Sequence, residues 1–428
     1  MPDIMYVIMD PDSTRSDSGR SRSRSNTRRT FLTTAAAGVA VTAGCLTGAN
    51  GGDEEDGSDE PITIGGLQPF SGPFSIYGSM HDAGAQFAAE ELNQEGGVLG
   101  REIDVEAVDT ESSPGEAATI FSRLVEEDGA VSIIGPVSSD VAVNVAQNAE
   151  DMEVPMFIHA GGDPAEVTRE SRYTFRTANP PAPVTARSFA ELIDERGYAT
   201  VSAIIADYAW GRAMEASLLE FLPDDIDLDI AVAPFGEDDF TPYLRDFSDD
   251  TELLIGSGHP AGVNSMYGQA REIGLTPDLF TAAIAPTTAS IGAVGEEITE
   301  GYTTLTQPDL YSDRFAEVAT EFHEETGEQF DTAHASGYAT VKLIAAAIED
   351  AESTDPADVA ESIRNIEFDT LYAAPIQYTE YGELDQVVQL ISGYEFGDTP
   401  YPPEAEIRPT EVFRSDPLDA YDPAEFEL

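Results

Sequence analysis

From residue 61 onward the sequence predicts an α/β protein of two similar units, each a parallel sheet covered by helices on both faces. Three observations carry that expectation. Strand-length apolar runs alternate with helical spacings as far as Gly301, a proline cluster splits the alternation into two series, and 428 residues suffice for two units of roughly 100–200 residues each. In the first series, residues 62–67 form an apolar strand-like run. Residues 78–93 place Ala85, Ala88, Ala89 and Leu92 on one helical face, and 103–108 alternate apolar with acidic positions. A helix at 114–127, a strand at 131–134, a helix at 139–150 and a strand at 154–158 continue the rhythm, an order that favours parallel pairing. Pro180, Pro181 and Pro183 are expected to interrupt it, because proline lacks an N–H and continues neither element.

The second series alternates strand and helix at 201–206, 211–221, 228–233, 241–247, 252–255, 262–273 and 279–283. Amphipathic helices at 312–326 and 332–350 follow, then short strands near 375–378 and 387–396. The remainder, 398–428, is rich in proline and acid and is expected to be irregular surface.

Ahead of both units, Thr27-Arg28-Arg29-Thr30-Phe31-Leu32 opens a mild apolar stretch that ends at Ala43-Gly44-Cys45. A basic region, a short apolar run and small residues form the layout of a secretory signal. The run at 33–44 is too short to span a bilayer, which takes about 20 apolar residues. Cys45 is the only cysteine, so it cannot close an internal disulfide. The segment resembles a twin-arginine lipoprotein signal, which implies that residues 1–44 are removed and that Cys45 carries a lipid. Thr42 departs from the Leu or Val usual at that place. Residues 45–60 are Gly, Asp and Glu with little to bury, and read as an acidic tether.

The chain carries 21 basic against 81 acidic residues, a formal charge of −60. Such a surface repels phosphate and excludes nucleic acid as a partner. Hydrophobic residues at 41% exclude a disordered chain. Abundant acid with Lys342 as the sole lysine resembles the proteins of halophilic archaea, and implies a fold that relies on salt screening.

Candidate binding residues lie in loops that follow strands, where open α/β sheets take ligands. The first loop, Pro69 to Gly78, contains the tight turn Ser71-Gly72-Pro73 and offers the ring and hydroxyl of Tyr77. The second, Gly135 to Asp140, places Ser138 and Ser139 at a helix start, where a hydroxyl and helix amides make either an anion site or a plain cap. The third contains Gly161, Gly162 and Asp163.

Ser71-Gly72-Pro73 with Tyr77-Gly78, Leu92-Asn93 with Gly96-Gly97, Gly135-Pro136 with Ser139, Asp207-Tyr208-Ala209-Trp210-Gly211, Gly268-Gln269-Ala270-Arg271 and Gly337-Tyr338-Ala339 recur here in a characteristic order. In that order and spacing the chain resembles the branched-chain amino-acid binding proteins of ABC importers, the type I periplasmic solute-binding family, across 61–397. The resemblance implies two Rossmann-like lobes joined by three crossing segments, with lobe 1 at 61–178 and 304–377 and lobe 2 at 179–303 and 378–397. It implies ligand held in the cleft between them: Tyr77 packing on it, Ser139 and backbone groups of Gly161 and Gly162 on its carboxylate, and Trp210 covering it. It also implies an ABC permease as partner, attachment to the membrane through the lipid, and a monomer.

The chain departs from the family at informative places. Asp163 stands where a carboxylate-binding Thr is common, Ile284 where a Glu holds the ligand's ammonium, and Gly258 and Ala333 where aromatics occur. Either Asp163 takes over the ammonium, or the ligand is an amide, a urea or an organic acid without one. His259 and His81 adjoin the cleft loops as candidate hydrogen-bonding groups. Catalysis is not expected. There is no Gly-x-Ser-x-Gly elbow, no His-Glu-x-x-His and no metal-spaced Cys or His set, so no catalytic residue, cofactor or metal is assigned. A ligand-sensing partner of a signalling receptor is the alternative role.

Overall fold

The computed structural model describes residues 60–258, 260–282, 287–396 and 407–424, all within one compact unit, Gly57–Leu428. The leader, Cys45, His259 and Ile284 lie outside the described residues.

The first lobe has strands β1 (Ile62–Gln68), β2 (Ile103–Asp109), β3 (Ser132–Ile134), β4 (Met156–Ile158) and β5 (Thr174–Arg176), in the order β2-β1-β3-β4-β5. All its pairs are parallel. Between them run α1 (Ser75–Gln94), α2 (Pro114–Glu126) and α3 (Ser139–Met152). Ile62 and Ile64 bury one face of the sheet, and Leu67 and Ile133 bury the other under α2 and α3. That two-sided burial explains why these strands read as continuous apolar runs.

The second lobe opens with α4 (Ala182–Arg196), β6 (Thr200–Asp207), α5 (Ala209–Phe221), β7 (Asp227–Pro234), α6 (Thr241–Leu244), β8 (Leu253–Gly256), α7 (Pro260–Ile273), β9 (Leu279–Ala282), α8 (Thr287–Val294) and β10 (Tyr302–Thr306). The chain then returns to the first lobe as α9 (Asp313–Thr326), α10 (Thr332–Ala351) and α11 (Pro356–Asn365), whose apolar faces share a core with α1. It ends with β11 (Leu390–Phe396) and β12 (Ile407–Arg414), which complete a sheet ordered β12-β11-β10-β9-β8-β6-β7. The β9–β10 and earlier pairs are parallel, while β11 and β12 add antiparallel. No helix among the described residues is long and apolar enough to cross a membrane.

Several expectations need correction. The prolines at 180–183 start a helix as well as interrupting the series: Pro181 is the N-cap of α4 and Pro183 falls in its first turn, where a missing N–H leaves no bond unmade. The lobe border expected at 303/304 lies after Thr306, because β10 pairs along its length in the second sheet. Residues 375–378 make only isolated bridges, Phe368 with Ile376 and Tyr378 with Leu384. The acidic tail is not irregular throughout. It contributes β12, with Ile391 opposite Phe413.

Three connections join the lobes: 177–181, 307–312 and 379–389. Beyond β12 the tail makes a further crossing beside the third. Val387 and Leu418 exchange backbone bonds at 2.9 Å in each direction, and Ser415 N donates to the Gln389 carbonyl at 2.9 Å. Leu418 and Tyr421 then bury in the first lobe's core, and Arg169 pairs with Asp422.

Candidate functional site

In each lobe the strand order reverses beside the first strand of the series, between β1 and β3 and between β6 and β8. These reversals open crevices at the carboxyl ends of the strands, where α/β sheets take ligands. The two crevices face each other. Phe74, Tyr77, Val137, Ser138, Ser139, Ala160 and Asn179 from the first lobe and the first crossing, with Tyr208, Trp210 and Gly258 from the second, line one cavity of about 40 Å³.

The first loop is built to present two aromatics. Asp109 Oδ1 accepts from the backbone N–H groups of Phe70, Ser71 and Glu111 at 2.9, 3.3 and 2.9 Å. That fixes a turn whose Gly72 has φ of 83°, a left-handed conformation suited to glycine. At Gly78 a Cβ would overlap the Pro69 carbonyl, so glycine lets α1 press against the loop and seat Phe74 and Tyr77 inward. Burial raises the Tyr77 hydroxyl well above its usual range, with Tyr208, Tyr302 and Asp331 adding to the shift. Tyr77 is therefore a neutral donor and acceptor.

In the second loop Ser138 occupies the N-cap of α3 in an extended conformation, but its side chain makes no capping bond, and it lines the cavity. Ser139 Oγ accepts from Gly162 N at 3.1 Å, which ties the second loop to the third. Gly162 must be small: a Cβ there would lie 2.5 Å from Trp210 Nε1. That indole nitrogen is buried without a hydrogen-bond partner among the described residues, so it is a donor left for a bound molecule or water.

Apolar contacts close the cleft from both sides. The Phe74 ring lies 6.4 Å from Tyr208 and 5.8 Å from Phe235, and Tyr208 lies 6.2 Å from Trp210. Phe74, Tyr77 and Val137 belong to the same buried cluster as Tyr208 and Trp210. A cavity this small admits a few waters at most, so a solute of amino-acid size enters only when the lobes part.

Tyr77, Ser138, Ser139, Trp210 and Gly258 thus meet at one cavity, with Gly161 and Gly162 in the loop beside it. Asp163 does not line it. Its carboxylate caps the short turn Pro164–Glu166, accepting from Ala165 N at 2.8 Å, because the turn's free amides are its nearest donors. His81 is also displaced from the cleft. It is fully buried, bonds Gln68 at 2.7 Å, and sets its ring 4.1 Å from that of His159, tilted by 46°. Burial lowers the pKa of both imidazoles, His159 to about 3, with His159 and His334 lowering His81 further, so both are neutral. Phe74, Val137, Ala160, Asn179 and Tyr208 complete the lining and are not singled out as site residues by sequence reasoning. Phe74 and Tyr208 directly precede helices that follow strands, a position that could have found them. None of the described lining side chains carries a charge.

Beneath the third loop lies a fully buried ionic cluster. Arg176 Nε bonds Glu383 Oε1 at 2.9 Å, Arg176 Nη1 pairs with Glu166, and all three side chains are 0% exposed. Arg176 also donates to the carbonyls of Gly161 at 2.5 Å and Asp163 at 3.2 Å, and so shapes the loop from below.

The sequence model described as periplasmic binding protein matches residues 61–392. A leucine-, isoleucine-, valine-, threonine- and alanine-binding protein of Pseudomonas aeruginosa is 25% identical over 321 residues, covering 73% of this chain and 84% of that one. The chemotactic signal transduction substrate-binding protein BasB of Halobacterium salinarum is 29% identical over 245 residues, 53% of this chain and 58% of that one. Among solved structures, the leucine-binding protein LivK of Thermotoga maritima superposes with a TM-score of 0.70 at 22% identity, covering 83% of this chain and 99% of that one. With the family match running from β1 into β11 and through the three connections before it, the chain belongs to the periplasmic binding protein family.

Proposed function

We propose that the chain is an extracytoplasmic solute-binding lipoprotein of an ABC importer, exported through its twin-arginine leader and held to the membrane by a lipid on Cys45. It takes a hydrophobic amino acid or a related amide, urea or organic acid into the interlobe cleft and hands it to a permease. The observation that carries this reading is the pair of facing crevices whose residues close over one cavity. Ser138 and Ser139 at the start of α3 offer hydroxyls and amides to a carboxylate, while Phe74, Tyr77, Tyr208 and Trp210 offer an apolar body its contacts. The family's acidic partner for ammonium is replaced by Ile284, so a ligand lacking ammonium suits this cleft at least as well as leucine. Only a solute that binds the closed state better than the open one shifts the lobes, and a solute that touches Tyr77 of the first lobe and Trp210 of the second at once makes contacts that parted lobes do not offer.

Calorimetry with L-leucine, benzoate, acetamide and urea in molar KCl tests the reading. Saturable one-to-one binding of at least one is expected, and heats of dilution alone for all four would overturn it. The similarity to BasB favours a second role, presentation of the bound solute to a signalling receptor. Deleting the gene abolishes solute uptake if the protein feeds a permease. It abolishes the behavioural response with uptake intact if it feeds a receptor.

A further inference from the structure

A second cavity, of about 20 Å³, lies at the joint between the lobes, bounded by the second connection, the third connection and a first-lobe strap at 371–378. Backbone bonds hold the strap to both connections. On the side of the second, Ala373 N donates to the Gln307 carbonyl at 3.0 Å and Asp309 N to the Leu371 carbonyl at 2.8 Å; on the side of the third, Asp385 N donates to the Gln377 carbonyl at 3.0 Å. Gln307, Tyr372 and Asp385 line the space between, together with the apolar side chains of Ile376, Leu384 and Val387.

Gln307 is 3% exposed, and neither the oxygen nor the nitrogen of its side-chain amide has a hydrogen-bond partner among the described residues. The Tyr372 hydroxyl is buried in the same condition. Buried polar groups are expensive to leave unbonded, so these atoms call for something in the space beside them. Most of the wall has no donor to spare. Ile376 N bonds the Phe368 carbonyl at 2.8 Å, Leu384 N bonds Glu383 Oε1 at 3.0 Å and Val387 N bonds the Leu418 carbonyl at 2.9 Å, Asp385 N is taken by Gln377, and Pro375 has no N–H. Gln389 does not relieve the shortage either. Thr306 pairs with Leu390, so Gln307 and Gln389 are the first residues past the end of that ladder, yet both amide atoms of Gln389, 0% exposed, are unpartnered among the described residues as well.

We infer that this cavity is a hydration site of the hinge, in which one ordered water bridges the Gln307 amide of the second connection to the Tyr372 hydroxyl of the first lobe. The site stands whether or not the cleft takes a solute. A buried water needs about 10–15 Å³ of such space and two to four polar partners. The cavity offers that volume, a donor and an acceptor on Gln307, and a hydroxyl that can act as either. A monovalent cation would fit the volume but not the chemistry. Asp385 Oδ1 already accepts from Gln386 N at 3.0 Å and Ala420 N at 2.9 Å, and the Gln307 N–H groups need an acceptor, which a cation is not. Water also suits a joint. It exchanges one partner for another as the connection turns, whereas a side chain bonded directly to the neighbouring lobe would have to lose its bond.

The test begins with crystals of the full chain grown in molar KCl, and a second set with RbCl in its place. Both should show one peak within hydrogen-bond reach of the Gln307 amide and the Tyr372 hydroxyl, with no anomalous signal from rubidium. An empty cavity, a direct bond between the two side chains, or a rubidium peak each overturns the proposal. In solution, thermal melts in molar KCl compare the wild type with Gln307→Met, which keeps the length of the side chain and drops both polar atoms, with Tyr372→Phe and with the double variant. If one water serves both groups, each single variant strands a polar partner and lowers Tm. The double variant strands none, so its loss should be smaller than the sum of the two. Single variants that raise Tm would mean that the groups are dry, and strictly additive losses that each has a partner of its own; either result overturns the proposal. Should a single variant fail to fold, the wild-type crystals decide alone.

Discussion

Gly162 shows how little slack the interlobe cleft has. A methyl group there would lie 2.5 and 2.6 Å from the indole Nε1 and Cδ1 of Trp210, and 3.2 Å from Asn179 Nδ2. The Gly162→Ala chain should therefore fold, with a loss of about 1–3 kcal/mol for overpacking, but hold its lobes apart. Solute affinity is expected to drop at least about tenfold, with a red shift in the emission of Trp210, the only tryptophan; unchanged affinity would mean that the cleft does not close on this contact. Tyr77, Ser139 and Trp210 are legible in the sequence because each sits just after a strand at the head of a helix, and the chain itself announces that position. The roles of Asp163 and Glu166 are not legible. Which carboxylate caps a turn and which sinks under a loop depends on Arg176, and on Glu383, 207 residues from Arg176 along the chain. In a sequence crowded with acid, no local signal separates those two residues from the rest.

At the scale of elements, α1 and α10 make an unusually close approach. A Cβ on Gly84 would overlap the carbonyl of His334, and one on Gly337 would overlap the carbonyl of His81, so the two helices touch backbone to backbone. Gly337→Ala must separate them, and Tyr77 lies one turn along α1 from the His81 carbonyl that the new methyl would meet. We expect a loss of about 1–3 kcal/mol in urea unfolding together with weaker solute binding, while a substitution at exposed Leu219 on α5 should change neither. The helices themselves are readable from their apolar spacing. Their partnership is not, since some 250 residues separate them and only the fold brings their glycines into register. The same holds for β12. Eight residues with a proline at Pro409 look like surface chain until β11 supplies an edge on which Pro409, opposite Tyr394, needs no inward N–H.

For the whole molecule, the dominant physical fact is a formal charge of −60. The described arginines are largely engaged in surface pairs such as Arg123 with Glu106 at 3.5 Å and Arg414 with Asp309 at 3.1 Å. Exposed pairs of that kind contribute about 0–1 kcal/mol each and cannot offset the repulsion of so many carboxylates. Screening can, because the Debye length shrinks from about 10 Å at 0.1 M salt to about 3 Å at 1 M. Thermal melts followed by circular dichroism should shift to lower temperature by tens of degrees between molar and millimolar KCl; coincident melts would show that the fold tolerates its own charge. Repulsion between two lobes of like sign also acts on the hinge, and there the tail matters. Its return beside the third connection turns part of that joint from a cord into a two-stranded ribbon. A cord permits rotation about any axis, whereas a ribbon flexes readily across its face and resists torsion and sideways shear. The two halves are thereby kept on a single track, so that each time they part they come back in the same registration.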